Sequence, residues 1–399
     1  MISALLLAGV ALGSPDDGPR LTVGGDLKTF TVATFPYDHV LVGEDPSSTG
    51  IVDGRIKVTA QLPVGLHLEA HHAATATTGG SASTSWSTGV GGSAPQVVDL
   101  SWEAEDSDSW ALSGRTDRLR LRYRQGPVDV SVGRQPITLG AGLVFTPMDL
   151  VNPFHPATID TEYKPGVDAV RIDGFSGMSS GTLVGAYSGS WDAEGTVLAL
   201  AGQSTVGLFD IGGMLGAIRG DAVGGVTTRG GIGPVAVHGD VTLTLPAERH
   251  DEDPFVRAVT GAMLTDGTRS LTAELYLQTL GATDPDDYLE QASGERYLQG
   301  ELWAMGTAYA ALMGAYDLGG LWSASMMSLV NLTDISALVA PSLSVSVGDN
   351  AVASAGAFLG LGERPPDPTT EQLLAGEIPV ESEFGLIPHT AFIRLSDYF

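Results

Sequence analysis

The 399-residue sequence contains no cysteine, which excludes a disulfide framework and any thiolate metal site. Basic residues are scarce: 20 Lys and Arg stand against 47 Asp and Glu, a formal net charge of −27. A chain this acidic does not offer the basic surface that nucleic-acid binding requires, so no nucleic-acid partner is expected. Long apolar runs are also missing. After an opening segment, Ile2 to Gly13, no stretch approaches the roughly 20 apolar residues of a membrane-spanning helix. Hydrophobic residues still make up 43% of the chain, charged residues only 17%, and 53 positions are glycine, a mixture that suits many strands and tight turns better than a soluble helical enzyme. A transmembrane β-strand needs only about 9–11 tilted residues with one apolar face, so a barrel escapes a search for apolar runs.

The two chain ends point to a compartment. Residues 1–13 read as a secretory signal with Ala11-Leu12-Gly13 as a small-x-small cleavage site, although no Lys or Arg precedes the apolar run. A buried first strand or helix is the alternative. At the other end, a strand-like segment from Phe384 ends on Phe399. A final strand with a terminal aromatic resembles the end of Gram-negative outer-membrane barrels, which implies engagement with the barrel-assembly machinery. Ala391, Ile393 and Leu395 fit a lipid-facing row there, and Asp397 interrupts it.

Between these ends the sequence predicts eighteen strands, among them Glu301–Tyr316 and Phe384–Phe399. Ile56, Val58, Ala60 and Leu62 alternate with Arg55, Lys57, Thr59 and Gln61; Val235, Val237, Val241 and Leu243 alternate with Ala236, His238, Asp240 and Thr242; Leu271, Ala273, Leu275 and Leu277 alternate with Ser270, Thr272, Glu274 and Gln278. Period two places the apolar set on one face and the polar set on the other. A β-sandwich shows the same period, so connection lengths decide. Tight turns such as Pro63-Val64-Gly65, Gln125-Gly126-Pro127, Gly233-Pro234 and Gly348-Asp349-Asn350 alternate with longer polar loops along nearly the whole chain. Short turns at one end and long loops at the other, with an even strand count, describe an all-β fold: a single closed antiparallel transmembrane barrel over residues 14–399. Its setting is the outer membrane, among lipid and lipopolysaccharide.

The strongest local pattern is Arg118, Arg120, Arg122 and Arg124 alternating with Leu119, Leu121 and Tyr123. At about 3.3 Å per residue, these arginines form a ladder roughly 20 Å long. Leucine and tyrosine suit lipid, whereas arginine at the bilayer midplane costs roughly 2–4 kcal/mol, so the ladder is expected to face the lumen. Arg55, Lys57 and Arg171 fall on the polar faces of their strands and join it as candidate pore-lining residues. Rows of cations attract and guide anions. Alternatively, the arginines pair with acids on neighbouring strands, such as Asp129 and Asp173, and fill the interior.

The stretch from Gly133 through Asp173 is too irregular for one strand, with four prolines between Pro136 and Pro156. Its Leu143, Val144, Phe145, Met148, Leu150, Val151 and Phe154 must be buried, and the barrel interior is the available place. Gly133-Arg134-Gln135 followed by such a loop resembles porins of the carboxylate-selective and alginate-export families. The longer pattern, with Pro147-Met148-Asp149-Leu150, Val151-Asn152-Pro153-Phe154 and Tyr163 to Arg171, resembles a further set of outer-membrane barrel proteins. The resemblance covers about a tenth of the chain and implies a constriction loop over about 136–166. Asp149, Asn152, Asp160, Glu162 and Lys164 would sit at the narrowing, with the charged members facing the arginine rows. Arg134 shares its parity with Val128, Val130 and Val132, which points it toward lipid, so either a bulge intervenes before Pro136 or Arg134 lies at the rim, and it is not counted as lumenal.

Other groups carry weaker signals. His67, Glu69 and His71 share one strand face, but no third strong ligand accompanies the histidines, so polar lumen is expected rather than a metal site. Acids cluster at Glu44–Asp45, Glu103–Asp108, Glu248–Asp253, Asp284–Glu290 and Glu363–Glu383, as solvated loops or as bridges through divalent cations to lipopolysaccharide phosphates. No nucleophile elbow is present, and neither catalysis nor a cofactor is expected. The expected function is passive diffusion of small polar or anionic solutes. A surface barrel with a closed lumen, structural or adhesive, and a barrel-embedded hydrolase are the alternatives.

Overall fold

The structure is a computed structural model that describes residues 10–12, 19–43, 45–79, 95–106, 110–152, 162–250, 252–375 and 378–399. Twenty strands lie in one antiparallel sheet. In chain order they are β1 (Val10–Leu12), β2 (Arg20–Phe35), β3 (Ser47–Leu62), β4 (Leu66–Thr78), β5 (Ser101–Asp106), β6 (Trp110–Gln125), β7 (Val128–Gln135), β8 (Val167–Ser176), β9 (Ser179–Tyr187) and β10 (Thr196–Val206). The second half holds β11 (Phe209–Ile218), β12 (Asp221–Ile232), β13 (Val235–Leu245), β14 (Phe255–Thr265), β15 (Arg269–Gln278), β16 (Ala308–Gly319), β17 (Trp322–Asn331), β18 (Ser336–Ser346), β19 (Ala351–Leu361) and β20 (His389–Tyr398). All but β1 and β5 form an eighteen-strand ring, closed where β20 pairs with β2 from Asp26 opposite Tyr398 to Phe35 opposite His389. Closure removes the unpaired edges that an open sheet of this size would expose.

Period-two alternation holds around the ring. Leu198, Leu200, Leu215, Val226, Leu243, Leu275, Leu277 and Ile393 are exposed on the outer face, while inward neighbours such as Val197, Ala199, Asp240 and Glu274 are buried. An apolar belt on a closed barrel matches a hydrocarbon surround, where every backbone polar group must be paired within the protein. No helix of the described residues is long and apolar enough to cross a membrane.

Two irregularities position what lies inside. Between His71 and His72 of β4 the register with β6 shifts from Arg118 to Thr116, so Asp117 is an inserted residue. Such a bulge breaks the alternation and turns Asp117 and Arg118 to the same side. On the other flank of β6, β7 pairs only as far as Leu119 opposite Arg134, where its chain leaves the wall for the lumen. The vacated edge is taken by β5, which pairs with β6 from Ser101 opposite Arg115 to Asp106 opposite Ala111.

The structure corrects several boundaries. The predicted strand from Glu301 begins only at Ala308, and the last strand starts at His389 rather than Phe384, which belongs to a 3-10 turn. The stretches before both strands bend inward across the barrel mouth. The alternation of short and long connections also has two exceptions on the long-loop side: Arg219 and Gly220 alone, both with positive φ, join β11 to β12, and four residues, 332–335, join β17 to β18. Of the segment expected to be a signal, residues 1–9 and 13 lie outside the described residues, and Val10–Leu12 pair with Leu21–Val23.

Phe399 continues the closing seam. Its N–H donates to the Gly25 carbonyl at 3.0 Å, and the Gly25 N–H donates back at 2.8 Å. Gly25 shares the outward parity of Leu27, and a Cβ placed on it would lie 2.6 Å from the Phe399 ring and 2.3 Å from the Arg55 carbonyl. Gly25→Val is therefore expected to destabilise the barrel by about 1–3 kcal/mol through overpacking. Gly54→Ala, whose Cβ would meet nothing nearer than Leu27 at 3.7 Å, should be tolerated. The temperature at which the folded band converts to the unfolded one on SDS gels checks both.

Candidate functional site: the barrel interior and its folded-in segment

The described parts of the segment, 136–152 after β7 and 162–166 before β8, lie within the ring, and the Gly133-Arg134-Gln135 motif forms its root. Gly133 has φ +112°, a left-handed conformation that favours glycine, and a Cβ there would lie 2.2 Å from the Leu119 carbonyl. Arg134 points outward beside Val132 yet is buried, because residues 97–100 cover it. Its guanidinium pairs with Asp168 at 2.9 Å and donates to the Thr116 and Val98 carbonyls at 2.8 Å each. Gln135 donates to the Ala169 carbonyl at 3.1 Å. Gly166, at the other root, lies so close to the Asp117 carbonyl that a Cβ would approach to 2.2 Å. The motif thus fastens both ends of the segment to one point of the wall.

Further along, two wall carboxylates capture the segment's backbone. Glu274 on β15 accepts the N–H groups of Leu143, Val144 and Phe145 at 2.8, 3.0 and 2.9 Å. Asp240 on β13 accepts those of Ala141 and Gly142 at 2.8 and 2.9 Å. His238 Nε2 lies 2.7 Å from the Glu274 carboxylate. Gly140 permits this approach, since a Cβ there would meet Asp240 at 2.6 Å. Five consecutive N–H groups with no strand partner are satisfied in this way, and charge-assisted bonds of this kind are the stronger class.

Apolar packing then joins the segment to opposite walls. Ile137, Met148, Leu150 and Val151 pack with Val167, Val184, Val197, Met214 and Val223. Val144 and Phe145 pack instead with Val259, Tyr276, Tyr309, Leu329, Leu338 and Phe358. The Phe145 ring stacks on Tyr276 at 4.9 Å and on Trp303 at 5.4 Å between centroids. Leu302, Trp303 and Ala304, within the run predicted as strand, serve this inward contact.

The expected charged residues are placed as follows. The inner faces of β2, β3, β4 and β6 carry Lys28, Arg55, Lys57, Arg115, Arg118, Arg120, Arg122 and Arg124, against Asp26, Asp53, Glu69 and Asp117. Many are paired: Arg55 with Asp117, Lys57 with Asp26 at 2.7 Å, Arg120 with Glu69, Arg122 with Asp129, and Arg171 with Asp173 at 2.7 Å. Arg118 donates to the Lys164 carbonyl, and Arg124 is exposed. Glu69 also contacts His71, at 3.3 Å, so it is shared with Arg120. The alternative of acids interleaved with the ladder therefore describes much of this wall, although cations outnumber acids on it.

Of the expected loop residues, the described ones, Asp149, Asn152, Glu162 and Lys164, do not oppose the ladder across a gap. Asp149 pairs with Lys164 inside the loop; burial lifts the Asp149 carboxyl to about 6 despite that partner. Asn152 donates to the Pro165 carbonyl at 2.8 Å. Glu162 bonds Lys28 at 2.7 Å and accepts from the Tyr398 hydroxyl at 2.9 Å. Tyr163, between them, lies under three cations, with Arg55, Lys57 and Lys28 at 4.2, 4.4 and 4.8 Å from its ring centre. Asp160 lies outside the described residues, as do Glu44, Asp108 and Asp251 of the acidic loops.

Sequence reasoning missed Asp117, Asp240 and Glu274. The bulge hides the first. The other two were visible as isolated acids on polar strand faces, whereas most acids cluster in loops. Beneath the segment, on its short-turn side, a cavity of about 600 Å³ is lined by Arg120, Arg122, Arg171, Arg229, Asp129, Asp173 and Asp210, with Thr138 to Gly140 and Met148 over it. Across the ring, the inner faces of β16 to β19 present Ala311, Met313, Ser325, Met327, Ala340, Ser342, Ser354 and Phe358, without a charged group until Asp317 near a turn.

No family model matches the sequence, and no curated protein matches it. Solved structures do. OccAB4 of Acinetobacter baumannii superposes with a TM-score of 0.59 at 7% identity, over 97% of this chain and 100% of that one. OccAB1 of the same organism gives 0.53 at 10%, over 94% and 96%. The outer membrane protein OpdK of Pseudomonas aeruginosa, also solved with vanillate, gives 0.56 at 8%, over 95% and 98%. The chain shares their fold. The resemblance read from the Gly133-Arg134-Gln135 segment thus extends over nearly the whole ring as architecture.

Glu274→Ala or Asp240→Ala should free the segment while leaving the ring intact. Hydrogen exchange at residues 141–145 is expected to accelerate at least tenfold, because each lost bond to a charged acceptor is worth about 1.5–3 kcal/mol. Exchange in the β8–β12 strands should not change.

Proposed function

We propose that the protein is an outer-membrane channel for passive diffusion of small anionic or polar solutes, with its long-loop end outside and its short-turn end in the periplasm. The observation that carries this reading is the excess of cations on the inner faces of β2 to β6, in a chain whose net charge is −27. In a narrow low-dielectric lumen such an excess favours anions. The uncharged wall of methionine, alanine and serine opposite suits an apolar body, so a solute with one carboxylate and a small apolar or aromatic part fits both sides. OpdK, solved with vanillate, is compatible with that class. The segment 136–166 would act as the constriction, Arg55, Lys57, Arg118, Arg120, Arg122, Arg124 and Arg171 as the basic lining, and residues 1–13 as the export signal. The final strand with Phe399 would engage the assembly machinery. No covalent step enters this account.

A second reading, a barrel with a closed lumen, is favoured by one specific observation: Phe145 is clamped between Tyr276 and Trp303 under the mouth. Planar-bilayer recording separates the two. A channel should show discrete conductance steps and a reversal potential in a KCl gradient that reports anion preference. The double variant Arg120→Gln, Arg122→Gln should shift that potential toward cations, because it also leaves Glu69 and Asp129 uncompensated. Absence of current from well-folded protein favours the closed barrel; a cation-preferring wild type contradicts the anion reading.

A further inference from the structure

Two segments cover the long-loop end of the ring. Residues 279–307 carry the short helices α1 (Tyr288–Ser293) and α2 (Glu295–Leu298), and the second segment, described over 362–375 and 378–388, carries α3 (Thr370–Ala375). They meet at Glu383, which is buried. The Tyr309 hydroxyl donates to its carboxyl, Asn331 Nδ2 donates at 2.7 Å, and the Met305 N–H donates at 3.3 Å. The same Asn331 nitrogen lies 3.1 Å from the Asp334 carboxyl and 3.1 Å from the Tyr288 hydroxyl. The Glu383 N–H itself donates to Asp334 at 2.7 Å. Two carboxyl groups therefore share one buried asparagine nitrogen. The titratable groups facing Glu383 are Asp334, Tyr309, Tyr288 and Tyr297. Among the described residues no Lys, Arg or His forms an ion pair with either acid.

We propose that Glu383, Asp334 and Asn331 form a proton-operated latch, in which a proton held at this joint keeps residues 378–388 over the barrel mouth and its loss releases them. The geometry supplies the reason. A buried acid beside a second acid, without a cation, is costly to ionise. Outside the joint, the Glu383 carboxyl returns to water and ionises freely. Among the described residues, the other hydrogen bonds that fasten the segment to the rest of the chain are the Tyr37 hydroxyl on the Gly385 carbonyl at 2.8 Å, the Phe384 N–H on the Ser336 hydroxyl at 3.2 Å, and His39 on the Pro366 carbonyl at 3.2 Å.

The direction with pH follows from linkage. Burial, with Asp334 adding to it, raises the latched Glu383 carboxyl to about 7 from an ordinary 4.5. A raised acid makes the latched state fully stable below the ordinary value. That stability falls as pH rises from about 4.5 to about 7 and stays low above, a change on the order of a hundredfold in the latch equilibrium.

Hydrogen exchange of the folded, detergent-solubilised protein at pH 5.5 and 8.5, corrected for intrinsic rates, tests the latch without requiring conduction. Amides of residues 378–388 are expected to lose roughly thirtyfold protection at the higher pH, since about tenfold of the latch stability is already gone at pH 5.5, with barrel strands unchanged. Glu383→Gln should stay protected at both values, and Asp334→Asn should shrink the change. Equal wild-type protection at the two pH values would overturn the proposal, as would a pH dependence surviving in Glu383→Gln. Bilayer recordings then read a separate question: a pH-dependent segment in a protein that carries no current leaves the latch standing and removes the channel reading.

Discussion

The interior of this barrel depends on two carboxylates that accept five backbone N–H groups. A chain segment that leaves the wall loses its strand partners, and unpaired N–H groups away from water are costly. Asp240 and Glu274 stand on the inner face and supply acceptors for residues 141–145 in sequence. Their spacing on β13 and β15 sets where the segment crosses the lumen. That crossing places Phe145 against Tyr276 and Trp303 on one side and Met148 over the basic cavity on the other. The root, fixed by Gly133, Arg134 and Gln135, would otherwise leave a long segment free to swing.

Charge is sorted with equal economy. Acids gather in the loops, while the inner faces of β2 to β6 collect a large share of the 20 basic residues. Partial pairing, as of Arg122 with Asp129, lowers the repulsion among stacked guanidinium groups and still leaves an excess. Tyr163 adds a further device: its ring lies under Arg55, Lys57 and Lys28 and anchors the returning end of the segment by cation–π contact.

Much of the fold was legible in the sequence because a barrel wall obeys a local rule. Alternation such as Ile56, Val58 and Ala60 against Arg55, Lys57 and Thr59 survives folding unchanged, and eighteen strands were countable from it. Features set by non-local contacts were not legible. Asp117 reads as outward until the bulge opposite His71 and His72 turns it toward Arg55. Leu302 to Ala304 read as strand because their apolar character is real, but it serves contact with Phe145 rather than the wall. Glu274 looked like any polar residue on a lumen face; only the path of a segment some 130 positions earlier shows what it holds. The arginine ladder was legible as a row, whereas its partners were legible only in part, at Asp129 and Asp173.

A channel reading requires that the segment held by Asp240 and Glu274 narrow a conducting lumen. Single-channel conductance of the double variant Asp240→Ala, Glu274→Ala tests it most directly. Discrete wild-type openings and a larger, noisier conductance in the folded variant are expected. The same conductance in both proteins, with the segment shown to be released, would contradict it.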